Sequence, residues 1–354
     1  MLFYLSLYLL FFIPVGLGIN WRFLFRSSIF LVMALFSCLV LLRGDVGTDT
    51  HAYILIVQNI IAAPLNYSFF VQDGWDVEVG FRLLVKLTSL LVDSPQMVLN
   101  FVALFPVILY WRFLSSFRIS ISFLAFAALL ISHFLLPYSM NVVRAGIATG
   151  FALFVVYYLF QKKYWAAFLC SLLAISFQFS VIFVIAGYLI FARLKSIKSW
   201  LLSAALIALL VIVYADRYLE KVELYSSFDK PNEFSGISIF VLQLALWVFV
   251  LLQKNRFGWN RHYASFLISA IIFLGTSFSY AFLRIADMML LLSGLLVLLD
   301  SDLNYVRRIR LSGVLIVVIF TLSSFFVLRN ISQEDASVGS HWVPYHFVWD
   351  KGYM

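Results

Sequence analysis

Apolar runs about as long as a bilayer span recur from one end of this chain to the other. They cover approximately 2–19, 27–42, 96–112, 119–137, 141–160, 164–192, 199–215, 237–253, 263–280, 282–299 and 312–328. A helix needs about 20 apolar residues to cross a hydrocarbon core. Lipid offers no hydrogen bonds, so a spanning helix must satisfy its own backbone. The fold expected is all-α, a polytopic transmembrane helical bundle. Only 12% of the 354 residues are Asp, Glu, Lys or Arg, about half the fraction usual in a soluble domain. No stretch has the composition of a separate soluble domain, so residues 1–354 are expected to form a single integral membrane domain. The first residues lack a basic leader and a small-residue cleavage site, so a retained first helix is expected rather than a signal peptide.

The run 164–192 is too long for one straight span and carries Ser176-Phe177-Gln178-Phe179-Ser180 at its middle. Two short helices meeting near one membrane face are expected there. Backbone freed by such a break is tolerated only where protein or a wet cavity surrounds it. The basic residues then set orientation. Arg22 and Arg26, Arg112 and Arg118, Lys162 and Lys163, Arg193, Lys195 and Lys198, Lys254, Arg256 and Arg261, and Arg307, Arg308 and Arg310 all lie between runs or at their ends. Placing them all in the cytoplasm gives an unbroken alternation of about twelve crossings, provided 164–192 crosses twice. Both termini then face outward. Nearly every acidic residue falls outside, Asp300 and Asp302 excepted. The outer features are the loops of about 43–95 and 216–236 and the tail 329–354. In the first loop, Arg43-Gly44-Asp45-Val46-Gly47-Thr48-Asp49 reads as a turn, with Asp49 or Thr50 able to cap a helix over 50–62. A further helix over 80–93 carries Arg82 and Lys86 one turn apart, which suits the membrane interface.

The net charge of +8 is explained by those loops, so no nucleic-acid partner is implied. Five histidines and the cysteines Cys38 and Cys170 show no metal-like spacing. No metal and no cofactor are expected, and both cysteines read as packing residues.

Arg144 and Arg284 each lie within an apolar run. A guanidinium stays charged and is costly in hydrocarbon. Two of them point to an anionic ligand. Arg144 follows Pro137-Tyr138-Ser139-Met140-Asn141 at a helix start, where a fork of donors and the helix N-terminus both favour phosphate oxygens. The outward map places Asp49, Arg144, Gln178 and Arg284 near one face, with Asn141, the Tyr280 end of its helix and Pro344-Tyr345. Asp49 and His51 are candidates for a general base or for holding a substrate hydroxyl, and Glu78 for contacting sugar hydroxyls. Plainer roles stay open: a helix cap for Asp49, snorkelling for Arg144, an ion pair with Asp287 for Arg284, solvated loop positions for His51 and Glu78.

At these positions the chain resembles the EpsG-like branch of the Wzy-type polysaccharide polymerases. The resemblance rests on Arg43, Gly47, Thr48, Asp49 and Tyr53 in the first outer loop. Glu78, Gly80 and Phe81 follow, with Val79 where the family has proline. Asn141 and Arg144 match a helix start, with Ala145 where glutamine is usual. Ser176, Phe177, Phe179 and Ser180 match a broken segment, with Gln178 in place of histidine. Arg284, Pro344 and Tyr345 complete the series. The resemblance implies a GT-C-like bundle and a metal-independent glycosyltransferase of the bacterial inner membrane, with its active site facing the periplasm. It would join oligosaccharide repeat units carried on undecaprenyl pyrophosphate, for O-antigen, capsule or exopolysaccharide. Membrane lipids and a chain-length regulator protein are the other candidate partners. Asp49, Arg144 and Arg284 are then the candidate catalytic residues. Arg43, Thr48, His51, Glu78, Asn141, Gln178 and Tyr345 are candidates for binding substrate. An amide is essentially non-basic, so Gln178 offers hydrogen bonds in place of the family's histidine, and the base falls to Asp49 or His51. A lipid-linked oligosaccharide flippase is the main rival, but the chain shows none of the internal repeats common in transporters. An acyltransferase would need a histidine within a helix, and His133 is its candidate.

Overall fold

The computed structural model describes residues 1–70, 77–192, 236–252, 259–276, 280–300, 309–337, 345 and 347. Among them every regular element is a helix, and the β-type pairing is an isolated bridge between Arg43 and Phe347. The chain divides into two compact units, Met1–Val181 with Phe320–Met354, and Ile182–Ile319.

The first unit opens with α1 (Leu2–Asn20) and α2 (Arg22–Leu42). Three helices of the first predicted loop follow: α3 (Thr50–Ala62), α4 (Tyr67–Phe70) and α5 (Val79–Thr88). Then come α6 (Pro95–Ser115) and α7 (Ile121–Leu129), whose Ser120 cap accepts from Phe123 N at 3.0 Å. A π-helical turn, Leu130–Leu135, runs into α8 (Leu136–Met140). Proline lacks an N–H and crowds the preceding turn, and Pro137 lies two residues beyond this widened segment. The helix breaks at Asn141 and Val142, both of whose amides donate to Pro137 O. Then α9 (Val143–Phe160) and α10 (Tyr164–Phe177) pack along each other.

Residues 121–140 are the unit's inner strut, 83% buried, whereas 23–42 are 33% buried and 2–19 are 39% buried. Exposed Leu9, Phe23, Leu31, Trp165 and Phe168 give α1, α2 and α10 apolar outer surfaces. Lipid is as apolar as leucine, so membrane helices associate by close packing and interhelical hydrogen bonds. Both occur between α6 and α9. A Cβ on Gly150 would lie 2.7 Å from Leu109 Cβ, and one on Gly146 2.8 Å from Pro106 Cγ. Tyr110 and Thr149 share a hydroxyl hydrogen bond of 2.6 Å beside them.

The break expected within 164–192 is present. After α10, Gln178 is extended (φ −159°, ψ 122°), a 3-10 turn covers Phe179–Val181, and α11 (Ile182–Ala192) begins the second unit. That unit adds α12 (Ile237–Leu252), α13 (Trp259–Gly275) and α14 (Tyr280–Asp300). Gln243 Nε2 donates to Ser293 Oγ at 2.5 Å, and Ser293 Oγ lies 2.6 Å from Ser265 Oγ, so α12, α13 and α14 are tied by side-chain hydrogen bonds. The last helix, α15 (Ile309–Ser337), belongs to the first unit from Phe320 onward.

Seven helices among the described residues are long and apolar enough to cross a membrane, and the chain is a multi-pass membrane protein. The other crossings of the twelve-crossing scheme fall on shorter helices and on 199–215, outside the described residues. The loop 216–236 also lies outside them, except Gly236. Some expectations need correction. The tail drawn from 329 stays helical through Ser337. The helix drawn over 80–93 ends at Thr88, with Arg82 fully buried and Lys86 bonded to the end of α3. Cys38 is exposed on α2 instead of packed inside.

Candidate functional site

The site is built at the end of the first unit where α2 stops and α6 starts. Arg43 leaves α2 with extended backbone (φ −68°, ψ 140°). Its side chain is fully buried. Nε donates to Asn100 Oδ1 at 3.1 Å, and Nη1 donates to Met140 O. Nη2 has no hydrogen-bond partner among the described residues. Burial pulls this guanidinium down to about 10, partly offset by Tyr345 and Asp45, so it remains protonated near neutral pH. Asn100 is a hub. Its Nδ2 donates to Leu41 O at 2.9 Å and Arg43 O at 2.8 Å, while Gln96 Nε2 donates to Asn100 Oδ1 at 2.9 Å and to Gly44 O at 3.1 Å. Sequence reading passed over Gln96 and Asn100. The available signal was two amides spaced four apart, on one helical face of an otherwise apolar run.

The turn after Arg43 lies against the break between α8 and α9. Gly47 sits at φ +104°, where a side chain is strained, and an added Cβ would be 2.8 Å from Met140 O and 3.3 Å from Asn141 Oδ1. Glycine lets the two segments touch. Asn141 Oδ1 then accepts from Asp49 N at 2.7 Å and from Thr48 Oγ1 at 3.1 Å. Asp49 takes the position before α3 without a capping bond from its side chain, which corrects the cap expected there. The backbone N–H of Asp49 is instead held by Asn141. Thr50 Oγ1 donates to Val46 O, closing the turn.

Arg144 stands in the first turn of α9. Its Nη1 pairs with Glu78 Oε2 at 2.7 Å, the side chains being 21% and 9% exposed. Its Nε donates to Tyr53 OH at 3.3 Å, and its guanidinium carbon lies 5.7 Å from the centre of the Tyr53 ring. A fork held at two edges and over a ring is pre-aimed rather than mobile. Tyr53, noted earlier only as part of a motif, is thus a site residue. It is placed by α3, whose buried face is Thr50, Tyr53, Val57 and Ile60. Glu78 comes from the turn before α5. One turn along, Arg82 donates to Phe69 O. Burial pulls the Arg82 guanidinium below its ordinary value, and the Glu78 carboxylate opposes this.

The broken segment joins from the far side of α5. A Cβ on Gly80 would lie 2.7 Å from Ser176 O, so glycine permits α5 to press on the end of α10. Gln178, two residues on, donates from Nε2 to Ser180 Oγ at 2.9 Å. From the tail, Tyr345 OH donates to Leu39 O at 2.6 Å and the Tyr345 ring stacks on Phe3 at 4.3 Å. Burial pushes its phenol up, so it stays neutral. His51 is exposed on α3. His133 lies in the π-helical turn, edge-on to Phe134 at 4.9 Å. Arg284 belongs to the second unit, exposed near the start of α14. Pro344 lies outside the described residues.

Direct contacts therefore join Thr48, Asp49 and Asn141 in one group, with Arg43 bonded to the neighbouring Met140 O, and Tyr53, Glu78 and Arg144 in another. Asn141 and Arg144, three residues apart, connect the groups. Among the described residues, the buried charged residues of the first unit, Arg43, Asp45, Glu78 and Arg82, come from the same stretch between α2 and α6. The EpsG family model matches residues 23–347, nearly the whole chain. No curated protein and no solved structure matches it.

Proposed function

The chain belongs to the EpsG family, and from that premise we propose that it is a polysaccharide polymerase that joins oligosaccharide repeat units carried on undecaprenyl pyrophosphate. Family membership supports a membrane protein of polysaccharide biosynthesis. The carrier, the outward face and the individual roles are our reading.

The observation carrying it is Arg144, held by Tyr53 and Glu78 in the first turn of a helix. Transfer breaks the bond between the sugar's anomeric carbon and a diphosphate oxygen, and charge builds on that oxygen. A guanidinium aimed in advance by Tyr53 beside a helix N-terminus stabilises such charge as it develops. Arg284, in the second unit, is the sequence's other candidate for holding an anionic group. The acceptor hydroxyl must give up its proton, and Asp49 is our candidate base, its backbone positioned by Asn141. Thr48, Asn141 and Gln178 supply hydrogen bonds for sugar hydroxyls. His51 and Tyr345 line the approach, and Arg43 holds the turn beneath. The reaction draws its charge stabilisation from arginine rather than a metal.

A flippase needs polar groups along a path through the bilayer. Among the described residues, the buried charges of the first unit come from one stretch, which supports the polymerase. The test is a deletion strain complemented with wild type or Arg144→Ala, its glycan resolved by length. Removing one such donor costs on the order of a hundredfold or more in rate, so the variant should leave single repeat units on lipid. Long chains at normal yield from Arg144→Ala would take that residue out of the site. Loss of all surface glycan, with repeat units trapped inside, would point to the flippase.

A further inference from the structure

We propose that Glu78 is a specificity-determining residue: its carboxylate occupies Arg144 until substrate binds and yields only to a ligand bearing more than one negative charge. This rests on the reading that Arg144 receives the diphosphate.

The argument starts from the surroundings of the protein. A bacterial membrane is rich in phosphodiester headgroups, each an anion that suits an arginine fork. A bare guanidinium near the membrane boundary would be occupied by them. Here the fork already has an anion, with Glu78 Oε2 2.7 Å from Nη1 and its side chain 9% exposed. The carboxylate belongs to the chain, so it competes at high effective concentration. A headgroup with one negative charge exchanges one anion for another and gains little. A diphosphate brings at least two charges and more acceptor oxygens for the same fork.

The displaced carboxylate is not left without a counter-charge. Arg82 lies one turn along α5, and its buried guanidinium already feels the Glu78 charge. Tyr53 meanwhile keeps Arg144 aimed through Nε and its ring. Discrimination of this kind acts by setting a cost against the wrong ligand rather than adding a contact for the right one.

The test uses full-length protein in bilayers of phosphatidylcholine, with or without phosphatidylglycerol, and farnesyl diphosphate as probe. Wild type should bind the probe equally in both bilayers. Glu78→Gln should bind it about tenfold tighter in phosphatidylcholine, the equivalent of about 1.4 kcal/mol, and lose that gain when phosphatidylglycerol is present. Glu78→Asp keeps the charge on a shorter stem and should shift in the same direction by less, so it carries the test if the glutamine variant does not fold. Unchanged or weaker probe binding by the variants in phosphatidylcholine would overturn the proposal; unchanged binding is the result expected of a residue that only contacts sugar, which this probe lacks. So would competition by phosphatidylglycerol in wild type. Arg144→Ala separates the two ideas. If it binds the probe as well as wild type does, the diphosphate reading of Arg144 fails whatever Glu78 does.

Discussion

Asn100 shows how much of this site depends on single side chains that do no chemistry. Its amide satisfies the last carbonyls around the end of α2 and accepts from the Arg43 guanidinium. A buried donor or acceptor left without a partner costs about 1–3 kcal/mol. Asn100→Leu keeps the volume but strands Arg43 Nε and takes the amide donor from Leu41 O. It should lower the stability of the purified protein by about 2 kcal/mol or more and reduce glycan extension with it. An unchanged melting temperature in detergent would show that the hub is dispensable. Arg43, Thr48, Asp49, Glu78, Asn141 and Arg144 were legible because polar and charged types stand out against apolar runs. Their partners were not. Nothing local says that Arg43 reaches Met140 O across about a hundred residues of chain, or that Glu78 meets Arg144.

At the scale of elements, most helices follow from run length alone, and their ends from turn residues. The helix over 50–62 and the break at Gln178 were both readable. The fate of α5 was not. Arg82 and Lys86 on one face suit an interfacial helix, yet Lys86 Nζ donates to Ile61 O and Ala63 O at 2.7 Å each, closing the end of α3. A helix C-terminus offers unpaired carbonyls and a partial negative charge, which suit the lysine. The small-residue contact of α9 with α6 also went unread. Gly150→Leu forces a branched side chain where Leu109 Cβ stands 2.7 Å from the Cβ position. It should cost about 1–3 kcal/mol by overpacking, visible as lower yield and melting temperature; normal values would mean α6 and α9 can separate freely. Gln178 caps the break with a bond to Ser180 Oγ, which a histidine ring N–H can also make. Gln178→His should therefore keep glycan extension near the wild-type level. A folded but inactive variant would show that the amide has a role a ring cannot fill.

For the whole molecule the testable matter is which way it faces. On the orientation expected from the basic loops, the turn around Asp49 lies outside and the Lys162–Lys163 turn inside; both His51 and Lys162 are exposed. With Cys38 and Cys170 replaced by alanine, His51→Cys should react with a membrane-impermeant thiol reagent in spheroplasts. Lys162→Cys should react only after the membrane is broken. The reverse pattern would put the site in the cytoplasm and remove the outward polymerase.

Two kinds of information are separated in this protein. Its all-helical, multi-pass character is written in the residues in order, because hydropathy and backbone satisfaction act over one helix at a time. The pairing of Glu78 with Arg144, the burial of Arg43 beneath Asn100, and the seating of Gly47 on the helix break appear only in three dimensions. They depend on close approach between segments far apart in the chain, and approach is set by how helix faces pack, which no single run of residues specifies.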